Sequence, residues 1–240
     1  MERSLSPQKQ ADSLWRAAEC QAFDRHLQAM GLPAASLMEQ AASQISKFLT
    51  LAINKGDPAD ILFLCGPGNN GADAIAAARQ LLNHPQITPM IHLPGGSPSP
   101  QSLLELQYSA YKNLGGKEVG DLEIPLQQQE SPPVLVIDGL FGVGLGRPVE
   151  GKYAEALEAA SLNEAPCVAV DCPSGLDCDS GEVLGCSLPA QWTISFIGAK
   201  LGFTRNQGPS LCGEVHIADI GVRRELAEGW LKQHRRVKQG

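Results

Sequence analysis

Three short apolar runs constrain the fold of this chain more than any other feature. Ile61-Leu62-Phe63-Leu64-Cys65, Val134-Leu135-Val136-Ile137-Asp138 and Cys167-Val168-Ala169-Val170-Asp171 each run straight into a turn rich in glycine or proline. A strand with no polar alternation must be covered on both faces, which suits the interior of a parallel sheet. Met90-Ile91-His92-Leu93, Thr193-Ile194-Ser195-Phe196 and Glu214-Val215-His216-Ile217 read as further strands.

The stretches between them carry helical spacing. Helices are expected over Ala72–Leu82, Gln101–Leu114, Glu150–Leu162 and Arg224–Lys232. Two more precede the first strand. Leu14–Met30 is closed by Gly31 and Pro33, and Ala34–Ile53 carries Leu37, Met38, Ala41, Ala42, Ile45, Phe48 and Leu49 on one stripe before Lys55-Gly56-Asp57-Pro58 ends it. Gln127-Gln128-Gln129 and Pro132-Pro133 mark a surface connection. The alternation predicts an α/β fold, a Rossmann-like three-layer sandwich. Its sheet is mostly parallel with helices on both faces, preceded by two N-terminal helices.

Composition excludes several classes. The formal charge of -7 opposes nucleic-acid binding, which calls for a basic face. None of the seven cysteines forms a CxxC pair, so reduced thiols are expected rather than a zinc site. The polar start MERSLSPQKQ has no leader-like apolar stretch, and no run of apolar residues is long enough for a membrane span. A cytoplasmic location is expected.

Ligands of such sheets bind outside the carboxyl ends of the strands. The first turn there, Gly66-Pro67-Gly68-Asn69-Asn70-Gly71-Ala72-Asp73, formally matches GxGxxG between a strand and a helix, where helix amides attract phosphate. An ordinary NAD site also needs an acidic residue about 20 positions on. Here that place holds His92-Leu93-Pro94, which disfavours a plain dehydrogenase. A tight turn with Asn69 or Asn70 capping the helix is the structural alternative. The second turn, Asp138-Gly139-Leu140-Phe141-Gly142-Val143-Gly144-Leu145-Gly146-Arg147-Pro148, offers amides and a cationic fork for phosphate. Asp138 reads as a general base, a cation ligand or a loop cap.

The third turn is Asp171-Cys172-Pro173-Ser174-Gly175-Leu176-Asp177, where Asp171 can accept hydrogen bonds from ribose hydroxyls or a carboxamide. Asn70, Asp138 and Ser174 together offer oxygen with little negative charge, which suits a large monovalent cation. Ser174 lacks the GxSxG elbow of a nucleophile. Lys200, after another strand, reads either as facing the site or as solvated.

The segments CGPGNNGAD, VIDGLFGVGLGRPVEG, VAVDCPSGLDCDSGEVLG and CGEVHIADIGV, with ASLMEQAA before them, resemble the YjeF N-terminal family in order and spacing from about residue 14 to 222. The resemblance implies an NAD(P)H-hydrate epimerase that interconverts the R and S epimers of hydrated NADH and NADPH for cofactor repair. It further implies a homodimer and an ADP/ATP-dependent dehydratase, fused or separate, that consumes the S epimer. Carried over motif by motif, the potassium ligands are Asn70, Asp138 and Ser174, and Asp138 is the expected catalytic base. Substrate contacts are expected from Asn69, Asn70, Gly71, Ala72 and Asp73, from Gly142, Val143, Gly144, Leu145, Gly146, Arg147 and Pro148, and from Asp171. The alternative is a catalytically silent nucleotide-binding or scaffold member. The family usually reads NNGGDG, so Ala72 and Ala74 place two methyl groups where glycines are the rule. They would collide with ligand if the backbone there is strained, and be harmless inside a helix.

By this reading residues 1–13 are a polar leading segment, 14–223 the epimerase domain and 224–240 a helix with a basic tail. Val237-Lys238-Gln239-Gly240 resembles the junction at which a dehydratase begins in fused relatives. A loosely ordered tail after Lys232 is expected, with nothing to pack against.

Overall fold

The computed structural model describes residues 13–53, 59–120, 122 and 133–239. The expectations placed on residues 1–12, on Lys55–Pro58 and on the Gln127–Gln129 segment lie outside these. The elements run α1 (Ala17–Ala29), α2 (Ala34–Ala52), β1 (Ala59–Cys65), α3 (Asn69–Leu81), β2 (Ile87–His92), α4 (Leu103–Asn113), β3 (Lys117–Glu118), β4 (Leu135–Gly139), α5 (Lys152–Ser161), β5 (Cys167–Val170), β6 (Trp192–Phe196), a 3-10 turn (Leu201–Thr204), the short α6 (Gly208–Leu211), β7 (Glu214–Ala218) and α7 (Arg224–Gln239). The seven strands form one sheet in the order β3-β2-β1-β4-β5-β6-β7, and every pairing is parallel.

The continuous apolar runs follow from that layering. Alternate residues of β1 face opposite ways, and both ways lead into core. Ile61 and Phe63, with Ile137 and Val168, pack beneath Ala42, Ile45, Ile75 and Leu104 of α2, α3 and α4. Leu62 and Leu64, with Val136 and Ala169, pack against Leu157 and Ala160 of α5 and against Leu188 and Ala190. A polar side chain at either parity would be desolvated. The two-residue β3 is too short for a period to announce it.

Three expectations change. Helix α1 begins at Ala17, because Trp15 is taken by a parallel bridge to Lys200, its N–H donating to Ala199 O at 2.8 Å. Helix α3 begins at Asn69 rather than Ala72. The chain after Lys232 is helical to Gln239 rather than loose. Its packing partner, overlooked in the sequence, is α1: the Trp230 ring stacks on Trp15 at 6.1 Å and tilts against Phe23 at 5.0 Å.

The same contact is clamped ionically. Arg235 Nε donates to Glu19 Oε1 at 2.7 Å, while Nη2 donates to Glu19 Oε2 at 2.8 Å and to Leu14 O at 2.6 Å. Burial alone would raise the Glu19 pKa, but the Arg235 hydrogen bonds and the Arg16 amide hold it below its ordinary value. Among the described residues no helix is long and apolar enough to cross a membrane.

Arg235→Ala strips the partner from a carboxylate whose side chain is only 7% exposed. The expected loss is about 2–3 kcal/mol, the low end for a broken buried pair because Arg235 is itself part-exposed, or about 5–10 °C in Tm. A lowered folded pKa gives stability that is present above the unfolded value and lost as pH falls. The gap between the two proteins therefore narrows below the ordinary glutamate range. A variant that melts with the wild type at neutral pH contradicts the clamp.

Candidate functional site

Strand order reverses between β1 and β4: the chain steps outward to β2 and β3, then returns to β4 on the other side of β1. At such a switch point the turns above the two strand ends diverge and leave a crevice. A cavity of about 380 Å³ lies there, within the range of small-molecule sites. Asn69, Asn70, Asp73, Gly142, Val143, Gly144, Leu145 and Asp171, all singled out in the sequence, line it. The other candidates do not reach it. Gly71 and Ala72 are buried, and Gly146, Arg147 and Pro148, which follow the lining residue Leu145, are exposed.

Asn69 and Asn70 are the first residues of α3 and do not cap it. The cap position is Gly68, with no side-chain bond, so the amides of the first turn stay open for a ligand. A Cβ built on Gly142 would lie 3.1 Å from Asn70 Oδ1 and 3.3 Å from Asp171 Oδ2. Two turns thus converge on the backbone of the third. Asn70 Nδ2 is buried without a hydrogen-bond partner, an unmet polar group inside the site.

The family departure at Ala72 and Ala74 has a structural answer. Both are interior residues of α3, fully buried, with ordinary helical φ. Ala74 faces the sheet, where a Cβ on Gly139 would come within 2.5 Å of its own. Neither methyl meets the cavity.

Asp138, at the end of β4, is wholly buried and lies below the cavity lining. Ser174 Oγ donates to Asp138 Oδ1 at 2.5 Å, Ser174 N to Oδ2 at 2.7 Å and Leu140 N to Oδ1 at 3.3 Å. Burial pushes the Asp138 pKa up against these bonds. No cationic side chain among the described residues pairs with it. Its oxygens are engaged within the protein, and it is not among the residues that line the cavity. Beside it lie the Ser174 hydroxyl and, 3.2 Å from that hydroxyl, the Phe141 carbonyl.

Asp171, past the end of β5, is the fixed anion of the cavity wall. Its backbone takes φ +63°, and its Oδ1 accepts from Lys200 Nζ at 2.8 Å. Lys200 is buried rather than solvated. Its ammonium donates further to Ser195 Oγ and Phe196 O, both at 2.9 Å, and to Gly198 O at 3.1 Å. Burial alone would lower its pKa, but the Asp171 charge overrides that and keeps the ammonium protonated. Curling the chain around it leaves Ile197, a β-branched residue, at φ +70°. Such strain persists only where the surroundings dictate it.

Helix α1 forms a wall that the sequence did not announce. Cys20, Asp24 and Gln28, at steps of one turn, face the cavity beside the buried Phe23 and Leu27. The available signal was a polar stripe flanking the apolar one. Burial, then the Asp171 charge, pushes the Asp24 pKa up to about 6. The Asp73 pKa stands well above the carboxylate range for the same reasons, with Asp24 adding to them. Burial raises the Cys20 thiol to about 12, which rules it out as a nucleophile, and all seven cysteines are free thiols. At the end of β2, where an ordinary NAD site has its acid, the His92 ring instead meets Val119 O at 3.2 Å.

Comparison with known proteins gives the chain's family and fold. The family described as YjeF-related protein N-terminus matches residues 34–202. The NAD(P)H-hydrate epimerase of Levilactobacillus brevis is 36% identical over 208 residues, covering 85% of this chain and 92% of its own. That of Achromobacter xylosoxidans is 36% identical over 189 residues, covering 78% and 86%. A bifunctional NAD(P)H-hydrate repair enzyme Nnr from Thermofilum pendens is 33% identical over 217 residues, which cover 89% of this chain and 41% of that protein. The crystal structure of yeast ynu0 superposes with a TM-score of 0.72 at 19% identity over 85% of this chain and 86% of that one, sharing the fold.

The contact between Ala74 and Gly139 yields a paired test. Gly139→Ala should cost about 1–3 kcal/mol by overpacking, and Ala74→Gly in the same chain should restore most of it. Denaturant unfolding of the two variants checks this. An additive loss would mean that the helix and the strand do not meet as described.

Proposed function

This chain belongs to the YjeF-related N-terminal family, and from that premise we propose that it is an NAD(P)H-hydrate epimerase, an isomerase acting in cofactor repair. Its substrates are the R and S epimers of hydrated NADH and NADPH. The observation that carries the proposal is the convergence of the Asn69–Asp73 turn, the Gly142–Leu145 turn and Asp171 on one cavity at the switch point. The hydrated ring sits in the cavity, and the open amides of α3 favour an anionic group of the dinucleotide. The rest of the ligand extends over the exposed Gly146-Arg147-Pro148 rim, where Arg147 has no partner among the described residues and is free to meet phosphate. The absence of an acid after β2 separates this mode from that of ordinary dehydrogenases. A catalytically silent member has no observation in its favour.

We assign Asn70, Asp138 and Ser174 as the holders of a potassium ion. The fit rests on the chemistry of the donors: a buried carboxylate with no cationic partner, a hydroxyl and carbonyl beside it, and an amide with an unmet polar atom. Bound there, the cation would compensate the Asp138 charge and fix the three turns relative to one another. A separate or fused ADP/ATP-dependent dehydratase, a homodimeric state and a cytoplasmic location complete the proposal.

Two measurements test it. Purified protein added to (R)-NADHX with an S-specific dehydratase should make NADH reappear, whereas the dehydratase alone should stall. No gain in rate contradicts the epimerase assignment. For the cation, melting in potassium chloride is compared with choline chloride at equal ionic strength. An ion at ten times its Kd contributes about 1.4 kcal/mol, or about 3–6 °C in Tm. Asp138→Asn should abolish that increment. An increment that survives the substitution places the cation elsewhere.

A further inference from the structure

Resting on the epimerase reading, we propose that Asp24 of α1 is a catalytic residue of this site, the group that takes the proton from the substrate's ring-carbon hydroxyl and returns it on the other face.

The reaction sets the requirement. Inverting a carbon that bears both a hydroxyl and the ring nitrogen can proceed by opening and closing the ring. The hydroxyl O–H bond breaks, its electrons form the carbonyl, and the C–N pair departs with nitrogen, which gains a proton. Rotation and reclosure reverse each transfer, so no oxidant or other reactant is consumed. Two groups are needed: a base at oxygen and an acid at nitrogen. Both must be open to the cavity, which excludes Asp138.

Three carboxylates line the cavity: Asp24, Asp73 and Asp171. Asp171 is committed by geometry, since Lys200 Nζ lies 2.8 Å from its Oδ1 and the Phe196 amide 3.4 Å from the same atom. Asp24 and Asp73 have no such partner. Neither forms a salt bridge or a side-chain hydrogen bond among the described residues, and they enter the cavity from different elements, α1 and α3. An unpartnered acid on a cavity wall is costly to stability and poised for proton transfer.

Their surroundings divide the roles. Asp24 faces Asp171 from the β5 end, Lys200 from the loop after β6, Asp73 from α3, and Arg25 and Cys20 from its own helix. Burial and Asp171 lift it while Lys200 and Arg25 pull it down, leaving it at about 6, so it is mostly ionised at neutral pH and able to accept a proton. Burial, then the Asp171 and Asp24 charges, push Asp73 well above the ordinary carboxylate value, which suits it to serve as the acid for the ring nitrogen. Trp15, Trp230 and the Arg235–Glu19 clamp then have a functional consequence: they fix the helix that carries the base.

The test uses the whole chain and reads the loss of isolated (R)-NADHX to the S epimer by chromatography, from pH 5 to 8, corrected for the uncatalysed rate. The wild-type kcat should fall about tenfold per pH unit below about 6. Asp24→Asn should lower kcat by on the order of 10²–10⁴ with little change in KM and should lose that limb of the profile. Asp24→Glu should recover part of the rate and keep the limb, with all three proteins melting together. A role for Asp24 in catalysis is overturned if the Asn variant stays within about threefold of the wild type, if it is slow but keeps the acid limb, or if the loss falls on KM alone. An inactive wild type removes the epimerase reading itself, and this proposal with it.

Discussion

A fully buried ammonium governs the architecture of this site. Taking Lys200 out of water costs several kcal/mol unless its charge is paired and its protons are met. The chain meets them with one carboxylate, one hydroxyl and two carbonyls, all drawn from the ends of β5 and β6. The consequences propagate. Asp171 is held at positive φ, Ile197 is forced into the left-handed region, and Lys200 is left extended and free to pair. Trp15 takes that pairing, with its N–H on Ala199 O and its carbonyl accepting from Leu201 N. Only then does α1 follow, starting at Ala17 with its first amide on Asp179 Oδ1 at 2.8 Å. The helix that walls the cavity is thus positioned through Lys200, which lines the same cavity.

The layers were legible in the sequence because they answer to burial, and burial writes a pattern. Runs such as Ile61–Cys65 have no polar parity, and the structure shows core on both faces of β1. The turns were legible too, since the ends of parallel strands are where Gly, Asn and Asp must gather. Illegible were the contacts joining distant segments without a local period. The pairing of Trp15 with Lys200, the clamp of Arg235 on Glu19 and the placement of Asp24 at the cavity each bring together residues far apart in the chain. Arg235 read as part of a loose basic tail because its partner lies over two hundred residues away. The alanines at 72 and 74 read as a hazard because the register of α3 against Gly139 decides where their methyls go.

The site separates two tasks that a sequence motif runs together. Asp138 and Ser174 form a closed hydrogen-bonded unit, which ties the β4 turn to the β5 turn. Asp24, Asp73 and Asp171 line the cavity itself, with Lys200 compensating one charge among the three. In a cavity with few cations, like-charge proximity and burial both oppose ionisation, and Asp24 and Asp73 are pushed above the ordinary carboxylate value. That is the condition for moving protons to and from a substrate without a redox cofactor.

A crystal structure of the wild-type chain with bound hydrated NADPH, grown in potassium chloride, tests the account most directly. The hydrated ring is predicted between α1 and the Asn69–Asp73 turn, with its hydroxyl oxygen about 2.6–3.2 Å from an Asp24 carboxylate oxygen and a potassium-sized peak among Asn70, Asp138 and Ser174. A ring seated outside the cavity, or a hydroxyl turned away from α1 toward Asp138, would contradict it.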